Sequence, residues 1–360
     1  MGLYNCPKLK ELPSLPTELK SLRIYRTGWT TLNFRSNSNP IPLETLYVYN
    51  CPNITSLHLA DEIARLEALR ELTIRDCPNL ISLGEMQTSN NCHLILNNLW
   101  ISDPLVLLME PLRSIASLKK LTIEFSFGFS FPNEAEQLFL KVRSSLCELQ
   151  FKFLKSLQFL PSSLESLSSL QKLYIKDVPM LWELPHLPSS LEYLQINEVP
   201  MLRELPHLPS SLEYLQINDA PMLRKLPHLP SSLEYLQIND VPMLRELPNL
   251  PPSLTVLNIS KVPMLPELPN LPPSLTVLNI SKVPMLRELP DLPSSLTVLN
   301  IYNVPMLREL PNLPPSLERL RINGKCHPEL KERYREDGGS DRHKIAHIPH
   351  IYIDPEQWVQ

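Results

Sequence analysis

The chain has 360 residues, with 34 Lys plus Arg against 38 Asp plus Glu, 39 prolines and only 7 glycines. The near balance of charge gives no global field toward nucleic acid or an anionic membrane. Proline at roughly twice ordinary usage fits neither a common compact globule nor a disordered tail. Gly128 is followed by no glycine until Gly324. That stretch therefore lacks a GxxxxGK or GxGxxG phosphate loop and a GxSxG nucleophile elbow.

The first residues, Met1-Gly2-Leu3-Tyr4-Asn5-Cys6, lack the charged head and long apolar core of a signal peptide. The apolar run from Leu105 to Met109 is far too short to span a bilayer. These features predict a soluble intracellular protein, cytoplasmic or nucleocytoplasmic. Leu3 and Cys6 match the sixth and ninth positions of the repeat described next, so the chain is expected to start inside a repeat. Such an uncapped end would be covered by an upstream segment or by another molecule.

Internal repetition decides the architecture. Looser copies of a leucine pattern open at Leu19, Leu43, Leu69, Leu96, Leu118 and Leu146, spaced 22 to 28 residues apart. From Leu170 through Leu191, Leu212, Leu233, Leu254, Leu275 and Leu296 to Leu317 the spacing is a constant 21. Counting Leu191 as position 1, each unit reads Leu191-x-x-Leu194-x-Ile196-x-x-Val199-Pro200-Met201-Leu202-x-x-Leu205-Pro206-x-Leu208-Pro209 and two linking residues. This LxxLxLxx pattern is the leucine-rich-repeat signature. Positions 4 and 6 alternate as in a half-buried strand, and successive strands would pair in parallel at about 4.8 Å. The outer leucines at positions 12, 15 and 18 recur every third residue, which suits polyproline II or 3₁₀ structure. Pro200, Pro206 and Pro209 exclude an α-helix through the same segment. One coil alone buries too little apolar surface to offset the entropy of ordering it, so the units must stack.

The fold class expected is thus a leucine-rich-repeat solenoid, or horseshoe. Its concave face would be a parallel sheet, its convex segments proline-rich polyproline II or 3₁₀ structure, with few short helices. Three regions follow: irregular repeats over 1–169 with the first truncated, regular repeats over 170–323, and a capping tail over 324–360. Within the tail, Pro328 to Asp337 predicts a short helix, and Ile345, Ile348, Ile351 and Ile353 would close the last coil.

Several segments carry a family resemblance. Asn5-Cys6-Pro7-Lys8-Leu9, Asn50-Cys51-Pro52-Asn53, the run Leu69-Arg70-Glu71-Leu72-Thr73-Ile74-Arg75-Asp76-Cys77-Pro78-Asn79-Leu80 and the Leu-Pro-Ser-Ser-Leu joins resemble the repeats of grass nucleotide-binding leucine-rich-repeat (CC-NB-LRR type) disease-resistance proteins. The tail, with Lys331-Glu332-Arg333 and His343-Lys344-Ile345-Ala346-His347-Ile348-Pro349, is similar to the ending of that family. The resemblance implies a non-catalytic recognition domain of an intracellular plant immune receptor. Such a domain senses pathogen effectors or modified host proteins and contributes to the defence response. It also implies ATP or ADP only on a nucleotide-binding domain outside this chain, and that domain as a partner in the full-length receptor. Position 9, usually Cys in the family's CPxL motif, is Val or Ala220 from Val178 onward. The alternative reading is a bacterial effector leucine-rich-repeat scaffold binding host proteins. Such repeats also carry LPxLPxxL joins but usually place Asn at position 9.

The concave strand face is the best candidate surface, because positions 2, 3, 5, 7 and 8 project from a rigid support. Glu192, Tyr193, Gln195 and Glu198 recur as Glu213, Tyr214, Gln216 and Asp219, then as Glu234, Tyr235, Gln237 and Asp240. Val256, Asn258 and Lys261, with Val277, Asn279 and Lys282, replace this acidic aromatic patch by an apolar and basic one. Tyrosine ladders suit interface anchors, and equally serve as stacked solubilising rows. The methionines at position 11, from Met180 to Met306, read either as semi-buried packing or as an exposed stripe covered by a partner. His186, His207 and His228 share position 17 and are expected to be solvated. Cys6, Cys51 and Cys77 fall at position 9, read as buried thiols. No nucleophile, base and oxyanion set converges, so no catalytic residue, cofactor or metal is assigned, and the partners expected are proteins.

Overall fold

The structure, a computed structural model, describes residues 1–8, 12, 15–34, 41–61, 66–85, 94–124, 133–335 and 337–354, with the backbone alone at 133–135. Leu9 and Gly128 lie outside the described residues. The chain divides into two units, Met1–Pro179 and Met180–Gln360. The division falls inside the coil that opens at Leu170.

In the first unit eight strands follow one another in chain order: β1 (Gly2–Tyr4), β2 (Ser21–Tyr25), β3 (Thr45–Tyr49), β4 (Glu71–Arg75), β5 (Asn98–Ile101), β6 (Lys120–Glu124), β7 (Glu148–Lys152) and β8 (Lys172–Lys176). Each pairs in parallel with the next, and the register equates the repeat positions. Leu22 stands opposite Leu46 and Ile24 opposite Val48; Leu3 stands opposite Ile24, so the first residues do occupy the positions assigned to them. The longer irregular repeats place extra structure on the outer side. Pro104–Leu108, Leu112–Ser114 and Ser162–Ser166 are 3₁₀ turns, and helix α1 (Asn133–Val142) fills the outer arc of one repeat. It buries Leu138, Phe139 and Val142.

The second unit holds β9 (Tyr193–Asn197), β10 (Tyr214–Asn218), β11 (Tyr235–Asn239), β12 (Val256–Ser260), β13 (Val277–Ser281), β14 (Val298–Tyr302), β15 (Arg319–Asn323) and β16 (His350–Ile353), again parallel and in chain order. Identical residues face one another: Tyr214 lies between Tyr193 and Tyr235, and Asn279 between Asn258 and Asn300. Each unit is a leucine-rich-repeat solenoid. Its core is the leucines and isoleucines of positions 1, 4, 6 and 12, which are fully or almost fully buried in every regular coil. Position 15 is nearly as buried, whereas the position 18 leucines from Leu208 onward are only half-buried. The outer segments of the regular coils carry neither helix nor strand.

Two turns close each regular coil, and both explain sequence features. The position 1 amide donates to the carbonyl of the proline three residues before it, as Leu212 N does to Pro209 O at 3.1 Å. The serine just before position 1 donates its hydroxyl to the carbonyl of the preceding coil's first leucine: Ser211 Oγ to Leu191 O at 2.7 Å, Ser232 to Leu212 at 2.7 Å, Ser253 to Leu233 at 2.7 Å. The serine therefore satisfies a buried carbonyl as well as linking coils. Position 8 turns the chain out of the strand in a left-handed conformation at Asn50, Asp76, Asp177, Glu198, Asp219, Asp240, Lys261, Lys282 and Asn303, with φ between 51° and 56°. Asn and Asp tolerate that region; longer side chains are strained there.

The tail differs from expectation in two respects. Helix α2 spans Pro328–Arg333 and stops short of Asp337, because Tyr334 leaves helical geometry (φ −108°, ψ 7°) with its ring only 1% exposed. Ile345 and Ile348 are buried as expected. Ile351 and Ile353 pair with Leu320 and Ile322 in β16, so the tail contributes a further rung.

Core and turn contributions separate by mutation. Leu236→Ala, at a fully buried position 4, should cost about 2–5 kcal/mol, and Ser232→Ala about 1 kcal/mol from the lost hydrogen bond. Urea denaturation followed by far-ultraviolet circular dichroism checks the order.

Candidate functional site

Alternation within each strand puts positions 4 and 6 inside and leaves positions 3, 5 and 7 on the open face of the sheet. In the second unit this face is built as side-chain ladders. Tyr193, Tyr214 and Tyr235 stack with ring centroids 4.1 and 4.2 Å apart and interplanar angles of 9° and 5°. Each hydroxyl donates to the glutamine two residues on: Tyr193 to Gln195 at 3.0 Å, Tyr214 to Gln216 at 2.7 Å and Tyr235 to Gln237 at 2.7 Å. Burial within the stack pushes the Tyr214 phenol up, and hydrogen bonding from Tyr193 adds to it. The stacked, hydrogen-bonded rings are thus fixed plates on the open face.

The amide ladder continues the row. Gln237 Nε2 donates to Asn218 Oδ1 at 3.1 Å, and Asn258 Nδ2 donates to the Tyr235 hydroxyl at 2.9 Å. Asn279 Nδ2 donates to Asn258 Oδ1 at 2.5 Å and Asn300 Nδ2 to Asn279 Oδ1 at 2.6 Å. Val256 and Val277 replace the tyrosines at position 3 and are half-buried. Glu192, Glu213 and Glu234 flank the row at position 2, where their carbonyls accept the amides of the next coil, as Glu192 O does from Tyr214 N at 3.0 Å.

Position 8 sits elsewhere. Its left-handed backbone carries Lys261 and Lys282 past the end of the strand, beside the prolines of the exit turn. The acidic and basic stretches also meet: Lys261 Nζ lies 2.8 Å from Asp240 Oδ2, and that hydrogen bond raises the lysine's proton affinity. Met243, Met264, Met285 and Met306 are 38–44% exposed, while Met201 and Met222 are half-buried. The stripe is therefore mixed in character. His186, His207 and His228 lie exposed on the outer turns. Among the described residues, no group of three or more His, Cys, Asp or Glu is placed to hold a metal ion.

Sequence reasoning missed a cluster of unlike residues on the open face of the first unit. Arg75 at position 7 lies over the ring of Tyr49 at 5.0 Å and over Trp100 at 4.6 Å, and its guanidinium pairs with the Glu124 carboxylate. Trp100 Nε1 donates to Glu124 Oε2 at 3.0 Å. Tyr25 stacks on Tyr49 at 5.2 Å and Tyr4 tilts against Tyr25 at 6.3 Å. Glu124 is only 4% exposed; burial raises its pKa and Arg75 opposes that shift. Lys152, at position 7 in β7, is lowered by burial. Aligning the irregular repeats on position 7 would have brought Tyr25, Tyr49, Arg75 and Glu124 into one row.

Cys51 and Cys77 are buried at position 9, with Cys51 Sγ 3.5 Å from Thr27 Oγ1; Cys6 is only half-buried. The side-chain hydrogen bond with Cys51, reinforced by burial, holds the Cys77 proton well above the ordinary thiol range. Both read as packing thiols.

The fold and its open face define a leucine-rich-repeat protein-interaction domain, a class of scaffold that is typically non-catalytic. The family model of R13L1/DRL21 leucine-rich repeats, a plant resistance type, matches residues 103–178. Among solved structures, the chain is similar to YopM from Yersinia enterocolitica WA-314, at 26% identity over 88% of this chain and 76% of that one, with a TM-score of 0.40. The leucine-rich-repeat protein LIC12759 of Leptospira interrogans matches at 19% identity over 94% of this chain and 81% of that one, TM-score 0.49. The leucine-rich-repeat domain of the type III effector XCV3220 (XopL) matches at 20% identity over 67% and 78%, TM-score 0.39. Among the described residues, no helix is long and apolar enough to cross a membrane.

Arg75→Ala leaves the Glu124 carboxylate buried without its cation and should cost about 3–5 kcal/mol; replacing both residues, as Arg75→Met with Glu124→Leu, should restore most of that. A double-mutant cycle by chemical denaturation measures the coupling.

Proposed function

We propose that the chain is the non-catalytic recognition region of an intracellular plant immune receptor of the grass CC-NB-LRR type. In this reading it senses pathogen effectors or modified host proteins and contributes to the defence response. The match of residues 103–178 to plant resistance-type repeats carries the proposal. The Cys-Pro motifs at Cys6, Cys51 and Cys77 support it. In the full-length receptor the chain works beside a nucleotide-binding domain in the cytoplasm, and ATP or ADP binds there. A partner protein would meet the open face of the second unit.

The tyrosine stack suits that role for a physical reason. Three rings already ordered by stacking and by their glutamine hydrogen bonds lose little further entropy on docking, and aromatic plates with polar edges suit interface anchors. The change to Val256 and Val277, with Asn258 and Asn279, gives the neighbouring stretch an apolar and amide surface, so one partner can read two textures side by side.

A Tyr193→Ala, Tyr214→Ala, Tyr235→Ala variant should keep its parallel-sheet circular dichroism. Its affinity for an effector or host protein captured by the unaltered chain should fall by about ten-fold or more, since anchor residues typically each contribute over 1 kcal/mol. Titration calorimetry on each purified partner measures this. Unchanged affinity for every partner would remove the stack from the interface.

A further inference from the structure

The exit edge of β12 to β15 carries a second surface, separate from the tyrosine stack. There the left-handed Lys261, Lys282 and Asn303 stand beside the prolines two positions later, and Lys325 directly follows the left-handed Gly324. Lys261, Lys282 and Lys325, with Pro263, Pro284 and Pro305, wall an open groove of about 380 Å³. The methionine after each of these prolines is exposed, 40% at Met264 and Met285 and 44% at Met306.

Three observations make this groove more than a gap between side chains. Its walls are apolar apart from the cations and the flanking Asp240 and Asn303. Its charge is unbalanced: Asp240 pairs with Lys261, but among the described residues neither Lys282 nor Lys325 forms an ion pair. Finally, lysine is a poor choice for the backbone. Lys261 and Lys282 hold φ of 52° and 54°, while neighbouring coils fill the same position with Asp219, Asp240, Asn303 and Gly324, which tolerate left-handed geometry. Backbone preference therefore does not account for lysine at these two positions.

We infer that this groove binds an acidic polyproline II segment of a partner protein, with carboxylates on Lys282 and Lys325 and the apolar faces of the segment against the prolines and methionines. The spacing supports this occupant. Lys282, at position 8, and Lys325, one residue past position 8, belong to coils two apart, a rise of roughly 10 Å between those coils at about 4.8 Å per strand. A polyproline II chain rises about 3.1 Å per residue and returns to the same face every third residue, so carboxylates at i and i+3 stand about 9.3 Å apart on one side. A β-strand repeats its facing every second residue and would miss this step. A preformed polyproline II helix also loses little entropy on docking. The inference rests on the reading of the chain as a protein-recognition domain and names one partner chemistry for it.

The test uses fluorescence anisotropy of a fluorescein-labelled peptide of repeated Glu-Pro-Pro triplets titrated with the whole chain. Binding should weaken on adding salt. The paired change Lys282→Asn and Lys325→Asn, which keeps a residue at ease in the left-handed region at position 282, should lower affinity about ten-fold or more, as expected when two charge-assisted contacts are lost. Asp240→Asn should strengthen binding by freeing Lys261. Lys-Pro-Pro triplets should not compete, and the tyrosine triple variant should bind the acidic peptide as the unaltered chain does. Absence of binding, retention of affinity by the paired lysine variant, or tighter binding of an oligothymidylate through the same lysines would each overturn the inference. Those outcomes leave the tyrosine-stack result untouched, so failure here is distinguishable from failure of the recognition reading.

Discussion

Everything in both units depends on parallel register. A coil of this kind cannot bury its leucines alone; it becomes stable only when the next coil places its own position 4 and position 6 residues alongside and accepts its backbone hydrogen bonds. Leu215 beside Leu194 and Leu236, and Ile217 beside Ile196 and Ile238, show the arrangement in its most regular form. A slip of one residue would turn the buried leucines to the open face and the tyrosines to the core, and would be disfavoured at every rung. The serine that donates to the previous coil's first carbonyl and the proline turn beside it hold the same alignment from the outside.

Register also determines what the open face can be. Where coils are near copies, each side chain meets its own kind, and only residues that tolerate self-contact make a coherent surface. Tyrosine does so by stacking, and asparagine by donating with one amide atom and accepting with the other. Where the composition of the coils changes, Asp240 meets Lys261 and the two form an ion pair. In the first unit the coils differ, and the face instead assembles unlike groups: Arg75 lies over Tyr49 and Trp100 and pairs with Glu124.

The left-handed residue at the end of each strand links the two themes. Geometry demands it at every rung, and Asn, Asp and Gly meet the demand at least cost. Each rung therefore offers a place where a strained residue can be installed without disturbing the ladder, since its side chain projects beyond the packed strands. Lys261 and Lys282 occupy two such places, and their charge faces a row of prolines that leaves space for an extended chain.

The sequence by itself determined the coil: its length, the strand at positions 4 and 6, the outer turns marked by proline, the parallel order and the leucine-rich-repeat class. All of these follow from spacing within one repeat, where the signal is local and recurs many times. It also located Tyr193, Tyr214 and Tyr235 in one row, because equal spacing makes equal neighbours. The tertiary structure alone decided which unlike residues meet. Arg75 and Glu124 stand 49 positions apart, in repeats of unequal length, and their meeting depends on a register that no short window contains. It alone also separated position 8 from the open face, because the sign of φ at Lys261 and Lys282 is imposed by the turn that follows the strand, against the preference of the residue itself.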